Sequence, residues 1–172
     1  MKTLTQSGLR VLRPPMTADG AAMWQLVKDT GILDLNSSYL YLLVCRDFAA
    51  TSVVMYEGDQ LVGLITGYQP PNRPDHLFVW QVGVDDRCRG QGLAGQMLDH
   101  LVARVRPRFV ETTVSPSNQA SLRLFQKLAT RHETDINSRD GFAKPLFPGD
   151  THEAEPTLLI GPFAHGSDHK EV

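Results

Sequence analysis

Apolar positions along the chain follow two periods, and the switches between them mark out its elements. Four stretches repeat at helical spacing: Ala22, Met23, Leu26 and Val27 within residues 19–28; Leu40, Leu43, Val44 and Phe48 after Asn36-Ser37; Leu93, Met97, Leu98, Leu101, Val102 and Val105; and Leu124, Phe125 and Leu128 after Ser117-Asn118. Gly31 suits the end of the first helix. Asn36 or Ser37 suits the start of the second, and Ser117 or Asn118 that of the fourth, because a short polar side chain can accept a bond from an unpaired helix amide. Strand-like runs cover residues 9–13, 52–57, 60–68, 76–84 and 109–114, with weaker ones at 132–137 and 157–160. Gly58-Asp59 predicts a tight hairpin, Pro14-Pro15 stops the first strand, and Pro70, Pro71 and Pro74 make a loop. With no internal repeat, this order predicts one α/β (α+β) domain built around a mixed sheet.

The totals narrow the picture without naming a function. A chain of 172 residues can fill one core, so residues 8–163 are expected to form the domain, with 1–7 and 164–172 as flexible tails. A formal charge of −2 gives no general attraction to nucleic acid or an anionic membrane, so any anion site must be local. No run approaches a membrane span, and the first residues lack an apolar signal core, which makes the cytoplasm the expected compartment. Cys45 and Cys88 form no paired motif and the six histidines show no ligand spacing, so neither a disulfide framework nor a metal site is expected. Cys88, between two arginines, could be a reactive thiol, although an ordinary loop residue is the simpler reading.

The most specific chemistry lies where the strand ending at Val84 passes through Arg87-Cys88-Arg89-Gly90-Gln91-Gly92 into a helix. Glycines let a bulky anion approach the backbone, and unpaired amides at the positive helix end favour phosphate or pyrophosphate. The string Gly90 to Gly95 also matches GxGxxG, with Glu111 downstream as a candidate ribose acid. In a dinucleotide fold, however, the first glycine follows the strand directly and the acid closes the next strand. Here residues 85–89 intervene, and Glu111 lies near the start of its strand. A loop that merely caps a helix would leave two arginines beside two glycines unexplained.

This loop resembles the R/Q-x-x-G-x-G/A pyrophosphate loop of the GNAT N-acetyltransferase superfamily, and the surrounding elements follow that family's order. The resemblance implies a mixed, mostly antiparallel sheet with strands splayed at the cofactor, acetyl-CoA as co-substrate, and no metal. It also implies cofactor contacts from Val82, Gly83 and Val84, with Gly83 as a bulge position. Further contacts would come from the loop at Arg87, Arg89, Gly90, Gln91, Gly92, Leu93 and Ala94, and from Asn118, Ser121 and Phe125. Three distant segments, LDLNSSYLYLL, VWQVGVD and THEAE, further resemble the L-2,4-diaminobutyrate N-acetyltransferases of ectoine biosynthesis. That likeness implies an amino-acid substrate surrounded by Asp34, Tyr39, Trp80, His152, Glu153 and Glu155, and a homodimer. Acetylation of another small amine or a peptide N-terminus, or noncatalytic CoA binding, are the alternatives.

Acetyl transfer requires a neutral amine and a departing thiolate. At pH 7.5 an amine of pKa near 10.4 costs roughly 4 kcal/mol to deprotonate, against about 1.4 kcal/mol for a thiol near 8.5. The amine proton is therefore the harder problem. Asp34, His152, Glu153 or a bound water are the candidate bases. Phe125 stands where many family members carry a thiolate-protonating tyrosine, leaving Tyr39, Tyr41 or water for that task.

Overall fold

Residues 8–165 are described by the computed structural model. The first half of the chain contains β1 (Arg10–Arg13), α1 (Gly20–Thr30), α2 (Ser38–Asp47), β2 (Val53–Glu57), β3 (Gln60–Tyr68) and β4 (His76–Val84). The second half contains α3 (Leu93–Val105), β5 (Phe109–Thr113), α4 (Gln119–Arg131), β6 (Ile136–Phe142) and β7 (Glu155–Ile160). The strands form one sheet in the order β1-β2-β3-β4-β5-β7-β6. β1 with β2, β2 with β3, β5 with β7 and β6 with β7 are antiparallel, while β4 and β5 are parallel, the mixed and mostly antiparallel sheet that the family resemblance implies. Two compact units share the chain: one runs to Thr66 and resumes over Gln81–His100, and the other joins Gly67–Trp80 to the chain from Leu101 onward.

In the first unit Met23, Leu26 and Val27 of α1 and Tyr41, Val44 and Cys45 of α2 pack with Val54 and Leu64. Gly31 ends α1 with φ 63°, a left-handed conformation, and its amide bonds the Lys28 carbonyl. The start of α1 is fixed by the buried Asp19, which accepts bonds from both terminal nitrogens of Arg13, from the Tyr56 hydroxyl and from the Met16 amide. The Arg13 bond is the largest cause of an Asp19 pKa lowered from 3.8 to about 2. This group therefore contributes about 2 kcal/mol at neutral pH, lost as pH falls through its folded value. The inward face of α2 differs from the expected one: Tyr41, Val44 and Cys45 are buried, Leu40 is only half-buried, and Phe48 is 43% exposed. The helix turns that way because Tyr41 has a buried hydrogen-bond partner for its hydroxyl, Gln81. Ser37 is the N-cap by position, but its side chain makes no capping bond.

In the second unit β5 lies between β4 and β7, with β6 at the edge. The weak strand expected over 132–137 is shifted. His132 is the C-cap of α4, Glu133 turns the chain at φ 49°, and β6 runs instead through the polar residues up to Phe142. An exposed edge strand carries no apolar alternation to announce it. β7 begins at Glu155, two residues before the apolar run that signals it. Of the expected tails at 1–7 and 164–172, residues 1–7 and 166–172 lie outside the described residues. Of the remainder, the His165 ring bonds the Pro107 carbonyl at 2.6 Å.

Candidate active site

The glycine loop belongs to the first unit. Beyond β4, the Asp85 amide bonds the Val62 carbonyl, and residues Asp86–Cys88 form a short 3-10 turn capped by the Asp85 carboxylate at the Arg87 amide. That carboxylate also pairs with the Arg87 guanidinium at 2.7 Å, and Asp86 pairs with Arg89 at 2.6 Å. Both arginines are thus paired with carboxylates inside the loop, and the helix that follows begins with backbone amides. Gly90 and Gly92 each have φ 76°, and a Cβ at either would meet nothing within 4 Å. Their conformation, not crowding, requires glycine, and the space beside them is open. The Gln96 amide bonds the Gly92 carbonyl, which places Leu93 and Ala94 in the first helical turn, at the positive end. The Leu93 side chain is buried and anchors that turn. Gln91 is held by Arg10, which also bridges Glu57.

Cys88 is buried, which removes the access that a reactive thiol needs. β4 continues unbroken through Gly83, where an added Cβ would make ordinary contact with Leu33 and Leu64. Val82 and Val84 flank it, half-buried.

The connection between α1 and α2 carries Asp34, whose side chain is exposed while its carbonyl accepts a bond from the Gln81 side-chain amide at 2.8 Å. Trp24 donates to the Asn36 carbonyl at 3.1 Å. The two tyrosines of α2 differ sharply. Tyr39 is 63% exposed, whereas Tyr41 is fully buried, bonds Gln81 at 3.0 Å and has its pKa raised by burial. Tyr39 is the one available to a ligand.

The second unit assembles a separate polar group. Thr113 donates to Glu155 at 2.7 Å, and His152 Nε2 lies 3.7 Å from the other Glu155 oxygen. His152 Nδ1 is 2.7 Å from the Glu153 carbonyl. A carbonyl only accepts, so Nδ1 carries the hydrogen, and in the neutral ring the lone pair is on Nε2. Phe147 stacks on the imidazole at 3.7 Å between centroids and 9° between planes. Glu153 accepts bonds from the Ser117 hydroxyl and amide, which hold its pKa below the usual carboxylate range. Gly141 is required by close approach, since a Cβ there would sit 2.1 Å from the Glu155 carbonyl oxygen.

Also in this unit, the β4–β5 ladder holds three pairs among the described residues, ending at Phe78–Glu111, after which the Thr112 hydroxyl bonds the Val79 carbonyl. Trp80 follows, 48% exposed. Asn118 caps α4 by accepting from the half-buried Ser121 amide at 3.1 Å, and Phe125 is buried. Glu111, the acid of the dinucleotide reading, is paired with Arg73 at 3.1 Å.

Gln81, Phe147, Thr113, Ser117 and Gly141 were not anticipated as site residues. Gln81 had a legible signal, an amide in an inward-facing position of an apolar strand. Thr113, Ser117 and Gly141 act through pairings far apart in sequence, whereas Phe147 meets His152 five residues on.

Among the described residues no cluster of three His, Cys, Asp or Glu is placed to hold a metal ion, and no helix is long and apolar enough to cross a membrane. The acetyltransferase (GNAT) family model matches residues 21–129. The L-2,4-diaminobutyric acid acetyltransferase of Marinococcus halophilus is 49% identical over 89% of this chain and 90% of its own. Its namesake from Streptomyces avermitilis is 50% identical over 92% and 90%. Among solved structures, diaminobutyrate acetyltransferase EctA from Paenibacillus lautus, in complex with its substrate L-2,4-diaminobutyric acid and coenzyme A, is 41% identical. It superposes with a TM-score of 0.87, covering 93% of this chain and 99% of that one. Ard1 from Thermoplasma volcanium, at 17% identity and TM-score 0.71, shares the fold. With the glycine loop, the sheet order and the family model in agreement, the chain belongs to the acetyltransferase (GNAT) family.

Proposed function

We propose that the protein transfers the acetyl group of acetyl-CoA to the 4-amino group of L-2,4-diaminobutyrate, giving N4-acetyl-L-2,4-diaminobutyrate by direct transfer in a ternary complex. The observation that carries this reading is the 41% identity and close superposition with the Paenibacillus lautus enzyme bound to that amino acid and coenzyme A. A backbone-lined glycine loop supports it. The family model spans parts of both compact units, which supports reading residues 8–163 as one domain.

In the first unit the amides from Gly90 to Ala94 bind the pyrophosphate, with Arg87 and Arg89 at the rim, and the backbones of Val82, Gly83 and Val84 pair with the pantetheine. Asp34 binds the α-ammonium of the amino acid. Tyr39 returns a proton to the departing thiolate. In the second unit Asn118, Ser121 and the Phe125 ring line the cofactor arm, while Trp80, His152, Glu153 and Glu155 form the amino-acid side. The reacting ammonium loses its proton to His152 Nε2 directly or through water. The freed amine forms the new N–C bond as the C–S bond breaks; the thiolate takes the Tyr39 proton, and the second proton lost by the reacting nitrogen restores Tyr39 through water. The substrate's own α-ammonium lowers the pKa of the reacting amine, which reduces the demand on that base.

Incubation of the pure protein with acetyl-CoA and diaminobutyrate is expected to release CoA thiol and the N4-acetylated product, read by thiol titration and mass spectrometry. No release above background overturns the proposal. The buried Phe125 in place of a tyrosine favours a second reading, a noncatalytic CoA-binding module, which predicts CoA binding without turnover of any amine. Turnover of amines lacking the α-amino acid group, in preference to diaminobutyrate, would point instead to another small amine or a peptide N-terminus. A homodimer belongs to the same proposal on the strength of the family resemblance, as does the cytoplasmic location expected from the sequence, and sedimentation and cell fractionation test them.

A further inference from the structure

We infer that Gln81 is a positioning residue for amino-acid selection, holding the backbone that carries the Asp34 carboxylate. Gln81 lies in β4 among inward-facing Leu77, Val79 and Gly83 and is only 5% exposed. An amide buried there is costly unless its groups are bonded. Its Nε2 donates to the Asp34 carbonyl at 2.8 Å and its Oε1 accepts from the Tyr41 hydroxyl at 3.0 Å. Its backbone amide meets the Thr66 hydroxyl at 3.2 Å.

The orientation of the carboxamide follows from its partners. The Asp34 carbonyl can only accept, so nitrogen must face it, which leaves oxygen for the Tyr41 hydroxyl. Apolar anchoring of the 31–37 connection is slight: Ile32 is 77% exposed, Leu35 is 46% exposed, and Leu33 alone of the three packs against the core. The polar ties from Gln81 and Trp24 therefore set its course. One glutamine joins a buried strand, a buried tyrosine and the loop that presents the acid.

This inference rests on the reading that Asp34 binds the substrate ammonium, and four proteins separate the two. Wild type, Asp34→Asn, Gln81→Leu and Gln81→Glu are compared by steady-state kinetics for diaminobutyrate and acetyl-CoA from mildly acidic to mildly alkaline pH, with thermal midpoints recorded. Loss of the tie in Gln81→Leu is expected to raise the diaminobutyrate KM about tenfold, with kcat and the acetyl-CoA KM within about twofold of wild type. Gln81→Glu keeps the shape, but its carboxylate cannot donate to the Asp34 carbonyl. Its defect, relative to wild type at the same pH, is expected to be largest in alkali and to shrink as acid supplies the missing proton.

If Asp34→Asn raises the diaminobutyrate KM while the Gln81 variants do not, the inference fails and the role of Asp34 stands. If kcat and both KM values worsen together in Gln81→Glu with no recovery in acid, Gln81 is merely structural and the inference is overturned. Should Gln81→Leu fail to fold, the isosteric Gln81→Glu pH profile alone decides. If wild type does not turn over diaminobutyrate, or Asp34→Asn leaves its KM unchanged, the underlying reading fails and takes the inference with it.

Discussion

The glycine loop between β4 and α3 and the segment from Phe147 to Glu155 are held together by opposite means. In the loop, the important ties join near neighbours: Asp85 to Arg87, Asp86 to Arg89, and Gln96 to Gly92. Its charges cancel locally, and what it presents is main chain at a helix end. The later segment presents side chains, held by bonds that cross 36 residues from Glu153 to Ser117 and 42 from Glu155 to Thr113. A site made of backbone tolerates side-chain change and fails when φ is forbidden. A site made of side chains fails when a charge or its distant support is removed. Binding of a shared co-substrate suits the first arrangement, and choice of a particular amine suits the second.

The sharpest way to break this contrast is at Gly92. Valine cannot take φ 76° without strain, so Gly92→Val is expected to lower kcat/KM for acetyl-CoA about 100-fold by displacing the amides it needs. A change under about threefold would show that the loop's backbone is not the anion site. Next in size, Glu155→Gln is expected to raise the diaminobutyrate KM about 30-fold while the acetyl-CoA KM moves less than about threefold. An equal rise in both would erase the division of labour between the two regions.

Smaller effects sharpen the comparison. Because Arg87 is exposed and spends its charge on Asp85, Arg87→Ala is expected to raise the acetyl-CoA KM only about threefold, an effect that salt reduces further. A rise as large as that of Gly92→Val would mean that the arginine leaves Asp85 for the ligand. Smallest of all is Ser117→Ala, which removes the hydroxyl that favours ionised Glu153. That bond is complete above the ordinary glutamate range and is lost as pH falls through the lowered value. Without it the Glu153 titration, followed by carboxyl NMR, is expected to move upward. No movement would assign the shift to another neighbour.

Most elements were legible because their causes are local. The hairpin at Gly58, the end of α1 at Gly31 and the cap at Asn118 each depend on one residue's own conformation or on a bond three residues away. α2 was harder: its apolar residues surround more than one face, and the buried one was chosen by Tyr41, whose partner Gln81 is 40 residues away. β6 was misplaced for a related reason, since an edge strand is held by backbone pairing to β7 and its polar side chains carry no period.

The same division runs through the candidate site. By itself the sequence determined the turn of the glycine loop, because a left-handed backbone and a helix start are written in residues 90–93, although Arg10 and Val62 also tie the loop down. It also supplied Asp34, Tyr39, Trp80 and the THEAE segment as a resemblance. Only tertiary structure decided that Tyr39 is exposed and Tyr41 is not, that Arg87 and Arg89 are already paired, and that His152 has its hydrogen on Nδ1. Hydrogen bonds and burial depend on which groups meet in space, and for these residues the meeting is arranged by strand register and helix packing.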